Sequence, residues 1–278
     1  MALRDLKRRI RSVKLTRKIT RAIQMISVSK MRRSQDRAQA TKNYREHLIT
    51  LMYQAGLNRI QPPEFPIYSP GITLSIIFTS DRGLCGSYNT NLIKYFVEAN
   101  PGPNPRHHLI TIGKKGFTTL KRLGYDIIAS FQNFSDKPTI KDILPIVQVI
   151  KDSFIKYKVE KVVLVYQKFI NTFQQTPHST LLFPLQLPKE MKVSRTHEDV
   201  FEPTKTAVQQ SLLPHYLNLI LYQTLLDAIA SEQSARMVAM EQASTNANDL
   251  ISALTQDYNK QRQTAITTEL AEIVSHNH

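Results

Sequence analysis

The chain has 278 residues, with 37 Lys and Arg against 22 Asp and Glu for a net charge of +15, and 41% of it is apolar. That is enough apolar chain for a core in one or two domains. No apolar run approaches the roughly 20 residues a membrane-spanning helix requires; even 217–226 is interrupted by Asn218, Gln223 and Thr224. A single cysteine, Cys85, excludes an internal disulfide and fits a reducing, cytoplasm-facing compartment.

The charge is concentrated at the start. Residues 1–50 carry 15 basic side chains against Asp5, Asp36 and Glu46, a net of +12. Leu3, Leu6, Ile10 and Val13 keep the three-four rhythm of a helical seam, which slips near Arg17 and resumes at Ile19, Ile23 and Ile26. An Arg-rich, acid-poor amphipathic start also describes an organelle transit peptide. Here the basic pattern runs unbroken through Arg45 and the helical signal continues to about Gly56, so no removable segment can be delimited and 1–58 is expected to form one long helix. Taken alone, the run Arg8, Arg9, Arg11, Lys14, Arg17, Lys18 and Arg21 fits a solvated helix face, a nucleic-acid surface or a lipid surface.

The breakers Pro62, Pro63, Pro66, Pro70 and Gly71 open a segment of different character, expected to be a separate domain over 71–195. Short buried strands are predicted at 72–79, 109–112, 126–130 and 162–166, with helices near 91–99, 115–123 and 140–157 between them. Alternating strands and helices imply a mostly parallel sheet covered on both faces. Residues 180–187, broken by Pro184, read as an edge strand or extended loop. The turn Ser80-Asp81-Arg82-Gly83-Leu84-Cys85-Gly86-Ser87 lies after the first strand and before a helix, where phosphate-binding loops sit. It has neither the three-glycine dinucleotide fingerprint nor Gly-Lys-Ser/Thr, so a structural turn is expected. The histidines are scattered, or paired as His107 and His108, without metal-ligand spacing or a nucleophile arrangement. No catalytic residue, metal or cofactor is expected.

None of the eight glycines falls after Gly124, and from Thr204 to about Ser275 the only helix breaker is Pro214. Leu, Ala, Gln, Glu and Met dominate there, all good helix formers. With Pro203 suited to a first helical turn, residues 203–278 are expected to form a helix on the order of 100 Å long at about 1.5 Å per residue. Leu226, Ala230, Gln233, Met237, Met240, Ser244, Ala247, Ile251, Leu254 and Tyr258 step by four and three along it, a heptad seam. From Thr204 onward four basic residues face seven acidic ones, so the two ends of the chain are electrically complementary and are expected to pair antiparallel.

Several segments, in order, resemble one family. Arg17-Lys18-Ile19-Thr20-Arg21-Ala22 with Ser29-Lys30-Met31, the turn Ser80 to Gly86 and Lys168-Phe169-Ile170-Asn171-Thr172 carry the resemblance. So do Ala230-Ser231-Glu232-Gln233-Ser234-Ala235-Arg236-Met237 and the closing stretch from Tyr258 to Leu270. Together they are similar to the gamma subunit of bacterial and mitochondrial F-type ATP synthases. The resemblance implies an α/β fold with long helices, namely an antiparallel coiled coil of the N- and C-terminal helices plus a central Rossmann-like α/β domain. It implies a non-catalytic rotor shaft inside a ring of alpha and beta subunits, meeting the epsilon subunit and a membrane ring of c subunits at its foot. By position, it implies that Arg262, Gln263 and Thr267 meet a catch loop of the catalytic ring. It places Arg17, Lys18, Arg21, Ile23 and Lys30 near an acidic lever of beta, and Phe201 and Glu202 near the rotor ring or epsilon. Leu226, Met237, Met240, Ile251 and Leu254 belong to the seam. Position 23 is Ile where some relatives carry Met, and no Cys-bearing insertion of the redox-regulated chloroplast kind is present. The alternative from another class is a basic nucleic-acid-binding protein with an α/β domain, which would lack the aromatic residues expected among the basic run.

Overall fold

The computed structural model describes residues 3–57, 65–134, 137–185, 202 and 204–276. They form α1 (Leu3–Gln54), β1 (Ile72–Phe78), α2 (Tyr88–Ala99), β2 (His107–Ile112), α3 (Lys114–Arg122) and β3 (Ile127–Phe131). A 3-10 turn at Ile140–Asp142 follows, then α4 (Leu144–Tyr157), β4 (Val159–Asn171), β5 (Gln174–Phe183) and α5 (Lys205–His276). The chain divides into two compact units, Ser29–Ala235 on one hand and Met1–Val28 with Arg236–His278 on the other, so α1 and α5 each contribute to both.

In the larger unit the sheet order is β3-β2-β1-β4-β5, with β1 to β4 parallel and β5 antiparallel on β4. The first strands are apolar along their length because both faces are covered. On one face Ile77, Leu109 and Val165 pack with Leu92 and Phe96 of α2 and Leu120 of α3. On the other, Leu74, Ile76, Ile110 and Leu164 pack with Ile150 and Phe154 of α4, Met52 of α1 and Leu217 of α5. Each such side chain contributes about 1.5–3 kcal/mol by burial. The end of α1 and the first part of α5 are therefore core elements of the α/β unit as well as parts of long helices.

Local chemistry sets the helix ends. Gly56, at φ +79, follows the last turn of α1; its N–H reaches Tyr53 O at 2.9 Å and that of Leu57 reaches Met52 O at 2.9 Å, the paired bonds of a left-handed glycine stop. Thr204 caps α5, its Oγ1 accepting the Ala207 N–H at 3.2 Å; Pro203 lies outside the described residues. Gln223 Nε2 donates to Thr41 Oγ1 at 3.2 Å and Gln209 Nε2 to Ala55 O at 2.5 Å. Fourteen residues forward on α1 thus match fourteen back on α5, so the helices are antiparallel in this unit.

The turn after β1 is a lock between loops. Asp81 accepts the Lys114 N–H at 2.9 Å and the Asn133 N–H at 2.8 Å. Its carboxylate thereby occupies the start of α3, where an anion would otherwise bind. Gly113, at φ +96, lies so close to β1 that a Cβ would meet Thr79 O at 2.1 Å.

The edge of the sheet differs from expectation. β5 begins at Gln174, before the expected 180, and β4 continues past Tyr166 to Asn171, giving a long hairpin. Lys168, Ile170 and Asn171 are exposed, so the strand extends where the buried pattern that marks it in sequence has already ended. Pro177 sits on the outer strand opposite Gln167, a position where a missing N–H leaves the ladder intact.

Half-buried Asp227 of α5 has Lys168 of β4 and Arg45 of α1 as its charged neighbours. Burial pushes its carboxyl up to about 6, against a smaller downward pull from Lys168 and then Arg45. A raised carboxyl favours the fold when protonated, so this group's stabilising contribution is present below about pH 4 and is lost as pH rises through 6. Asp227→Asn should therefore be more stable than the unmodified chain at pH 7.5, by on the order of 1 kcal/mol, with the gain vanishing near pH 4. Urea unfolding at the two pH values measures the difference.

Candidate partner-binding site

The smaller unit is a helix pair. Arg17 Nη1 donates to Asn248 Oδ1 at 2.6 Å, and Arg21, Gln24, Met25 and Val28 line a groove of about 360 Å³ with Glu241, Ser244, Thr245 and Asn248. Rising numbers on α1 again meet falling numbers on α5. On α5 Met237, Met240, Ala247 and Leu254 are buried and Ile251 is half-buried, while Leu226 is fully buried in the larger unit.

On α1 the seam differs from expectation. The covered positions include 3, 6, 10, 13, 17, 20, 24 and 27, an alternation of three and four with no slip at Arg17, and Ile23 and Val28 beside them are half-buried. Thr20 and Ser27 are buried, whereas Ile19 and Ile26 are 52% and 54% exposed. Small hydroxyl side chains thus hold interior positions on α1, while Met237 and Met240 are buried on α5, a mix of sizes that close packing accommodates. Apolarity alone puts the isoleucines inside; volume puts them outside.

The displaced isoleucines form a row. Leu15, Ile19, Ala22 and Ile26 step by four, three and four along the outer face, Leu15 at 60% exposure, with Met25 beside them at 61%. Exposed Arg11, Lys14, Lys18 and Arg21 run next to this row. A contiguous apolar strip rimmed by charge marks a protein-contact surface, and its signal in sequence is a second three-four pattern beside that of the seam.

The residues expected near an acidic lever do not form one surface. Arg21 lines the groove and Arg17 is held across the helix pair by Asn248; Lys18 stands free on the outer face and Ile23 is half-buried. Lys30 belongs to the larger unit, where it is half-buried. Nearer its start α1 presents Arg4, Lys7, Arg8, Arg11 and Lys14 around a second groove that includes Asp5 and Ile10. Arg262, Gln263 and Thr267 do come together, all exposed within two turns of α5, with Thr267 Oγ1 donating to Gln263 O at 2.9 Å. Ile266 and Leu270 are 48% and 57% exposed on the same stretch, so this end also pairs cationic and amide groups with apolar ones. Glu202 is exposed, and Phe201 lies outside the described residues. Among the described residues no three His, Cys, Asp or Glu side chains are grouped to hold a metal ion, and no helix is long and apolar enough to cross a membrane.

This arrangement has clear relatives. The ATP synthase family model matches residues 2–276. The ATP synthase gamma chain of Xanthomonas oryzae pv. oryzae is 35% identical over 278 residues, covering 98% of this chain and 97% of the relative. The gamma chain of Dehalococcoides mccartyi is 38% identical over 280 residues, with 98% and 96% covered. The chain belongs to the ATP synthase gamma-chain family. Its fold is also that of a chain in the Euglena gracilis mitochondrial ATP synthase OSCP/F1/c-ring structure, at TM-score 0.71 and 20% identity over 98% of this chain and 92% of that one. A chain of the Tetrahymena thermophila mitochondrial central stalk and c-ring matches at TM-score 0.60 and 25% identity, covering 81% of this chain and 99% of that one.

The reversed facing of α1 is testable without partners. Ser27→Leu should overpack the seam and destabilise the chain by about 1–3 kcal/mol, while Ile26→Ser should stay within about 0.5 kcal/mol. Thermal unfolding of the two variants reads the contrast, and the opposite order would return Ile26 to the interior.

Proposed function

We infer that the chain is the central rotor shaft of an F-type ATP synthase, coupling proton flow through a membrane ring of c subunits to ATP synthesis or hydrolysis in a ring of alpha and beta subunits. Family membership supports the reading, as do relatives named gamma chain and matching folds in central-stalk and c-ring structures. The observation that carries it is the helix pair of the smaller unit. Its seam mixes Leu6, Met237, Met240 and Leu254 with small Thr20, Ser27 and Ala247, while an apolar row and a cationic row face outward, as suits a spindle inside a sleeve.

Torque is the product such a chain delivers. A proton crossing about 150 mV releases roughly 3.5 kcal/mol, and several must be combined for one nucleotide step, so the shaft must not melt locally. Helices α1 and α5 contain no glycine, which removes the residue that most weakens a helix interior. The chain supplies no catalytic group; chemistry belongs to the surrounding ring. It works on the cytoplasmic face of a bacterial inner membrane, held there through the complex. Nucleic-acid binding finds no support among the relatives.

Particular contacts follow. Of the residues expected near the acidic lever of beta (Arg17, Lys18, Arg21, Ile23 and Lys30), exposed Lys18 and Arg21 are the ones offered to it, and exposed cations of this kind contribute under about 1 kcal/mol each while permitting sliding. Arg262, Gln263 and Thr267 meet a catch loop, where a guanidinium fork suits a carboxylate. Phe201 and Glu202 face epsilon or the c-ring.

Arg262→Ala combined with Gln263→Ala should lower ATP hydrolysis by the reconstituted complex at least severalfold and leave the chain's own melting temperature unchanged, because both side chains are exposed. Turnover assays on complexes of verified subunit content decide it; unchanged turnover would remove these residues from the catalytic-ring contact.

A further inference from the structure

We propose that Ser231 and Ser234 are positioning residues for torque transfer, forming with the β4–β5 hairpin a clamp that fixes the rotation of α5 against the sheet. The proposal rests on the rotor reading. Ser231 Oγ donates to Gln167 O of β4 at 2.8 Å, and Ser234 Oγ donates to Thr172 O in the hairpin turn. Gln175 Nε2 of β5 closes the contact, reaching Ser234 Oγ at 3.2 Å and Thr172 O at 3.3 Å. One turn back, Tyr88 Oη of α2 donates to Ala228 O at 3.1 Å, while Gln167 Nε2 donates to Tyr88 O at 3.1 Å. Ala228, Ser231 and Ser234 thus form one strip of α5 bonded to the hairpin and α2. Both serines are fully buried.

Three physical features suit this strip to carry torque. Apolar contacts are non-directional, so a helix held only by Leu and Ile resists small rotations weakly. A hydrogen bond weakens steeply as its angle degrades, and a rotation of α5 by one residue, about 100°, would carry both hydroxyls off their carbonyls and leave those carbonyls dry and unpaired. Side-chain length also matters. Gln223 and Tyr222, which tie α5 to Thr41 and Pro138, are long enough to follow a turning helix; a serine hydroxyl is one bond from Cβ and cannot. The hairpin end of the clamp is itself braced, since Asn171 Oδ1 accepts the Phe173 and Gln174 N–H groups at 2.9 Å each. The strip ends where the larger unit ends on α5, at Ala235.

The test uses the chain assembled with alpha, beta, epsilon and the membrane sector in sealed vesicles, reading ATP hydrolysis and ATP-driven proton uptake together. Ser231→Ala with Ser234→Ala should leave hydrolysis within about twofold and lower protons moved per ATP by about threefold or more. Ser231→Ala with Ser234→Thr keeps one hydroxyl and should recover part of the ratio. Ile93→Ala, in the core on the other side of the sheet, lowers melting temperature at least as much and should leave the ratio intact. A normal ratio in the double alanine variant, or an equal loss in Ile93→Ala, overturns the clamp. If the double variant does not assemble, half-buried Gln175→Ala must lower the ratio, and a normal ratio there overturns the proposal equally. An unmodified complex that hydrolyses ATP without moving protons would instead sink the rotor reading.

Discussion

A helix as long as α5 cannot stand alone, because its apolar side would face water from one end to the other and isolated helices gain little from hydrogen bonds that water can replace. Antiparallel contact with α1, present in both compact units, answers that constraint. What makes the contact unusual for a coiled coil is its asymmetry of volume. On α1 of the smaller unit the interior includes Thr20 and Ser27, while α5 brings Met237 and Met240. Once the small residues are inside, the isoleucines of α1 are forced to the surface, and the surface acquires its apolar row. Packing of the shaft and the chemistry of its outside are therefore one decision made by the same heptads.

Much of this was legible in sequence, for reasons that particular elements make plain. β1, β2 and β4 are apolar runs because the sheet is covered on both faces, and such runs announce themselves. The glycine-free stretch after Gly124 pointed to α5 by the absence of joints. Ile19 and Ile26 lie outside although hydrophobicity alone puts them inside; in a two-helix contact the fit of volumes also counts, and Thr20 and Ser27 hold the interior positions. The extension of the β4–β5 hairpin was illegible because its exposed ladder has no buried pattern and its bonds to Ser231 and Ser234 come from more than fifty residues away, where no local pattern records them.

The family resemblance rested partly on segments whose physical role is now visible. Lys168 to Thr172 and the segment that begins at Ala230 look like independent motifs in sequence, yet through Ser231 and Ser234 they meet in one contact between hairpin and helix. The turn from Ser80 to Gly86 is likewise one partner in a lock, its aspartate occupying the start of α3. Each of these segments is a joint. In a chain whose product is mechanical, joints take the place that active sites hold in enzymes.

The register between α1 and α5, fourteen residues forward against fourteen back, also constrains how such a chain can change length over evolution. Removing one residue from either helix would turn everything beyond it by about 100°, carrying the seam to the surface and the outer row inward. Tolerated gaps should therefore come in sevens and in matched pairs, one in each helix, or fall in the loops of the α/β unit. Alignments across the family ought to show two long ungapped blocks flanking a middle where insertions collect, and a chain lengthened in only one block would have to rebuild its bearing surface to keep turning.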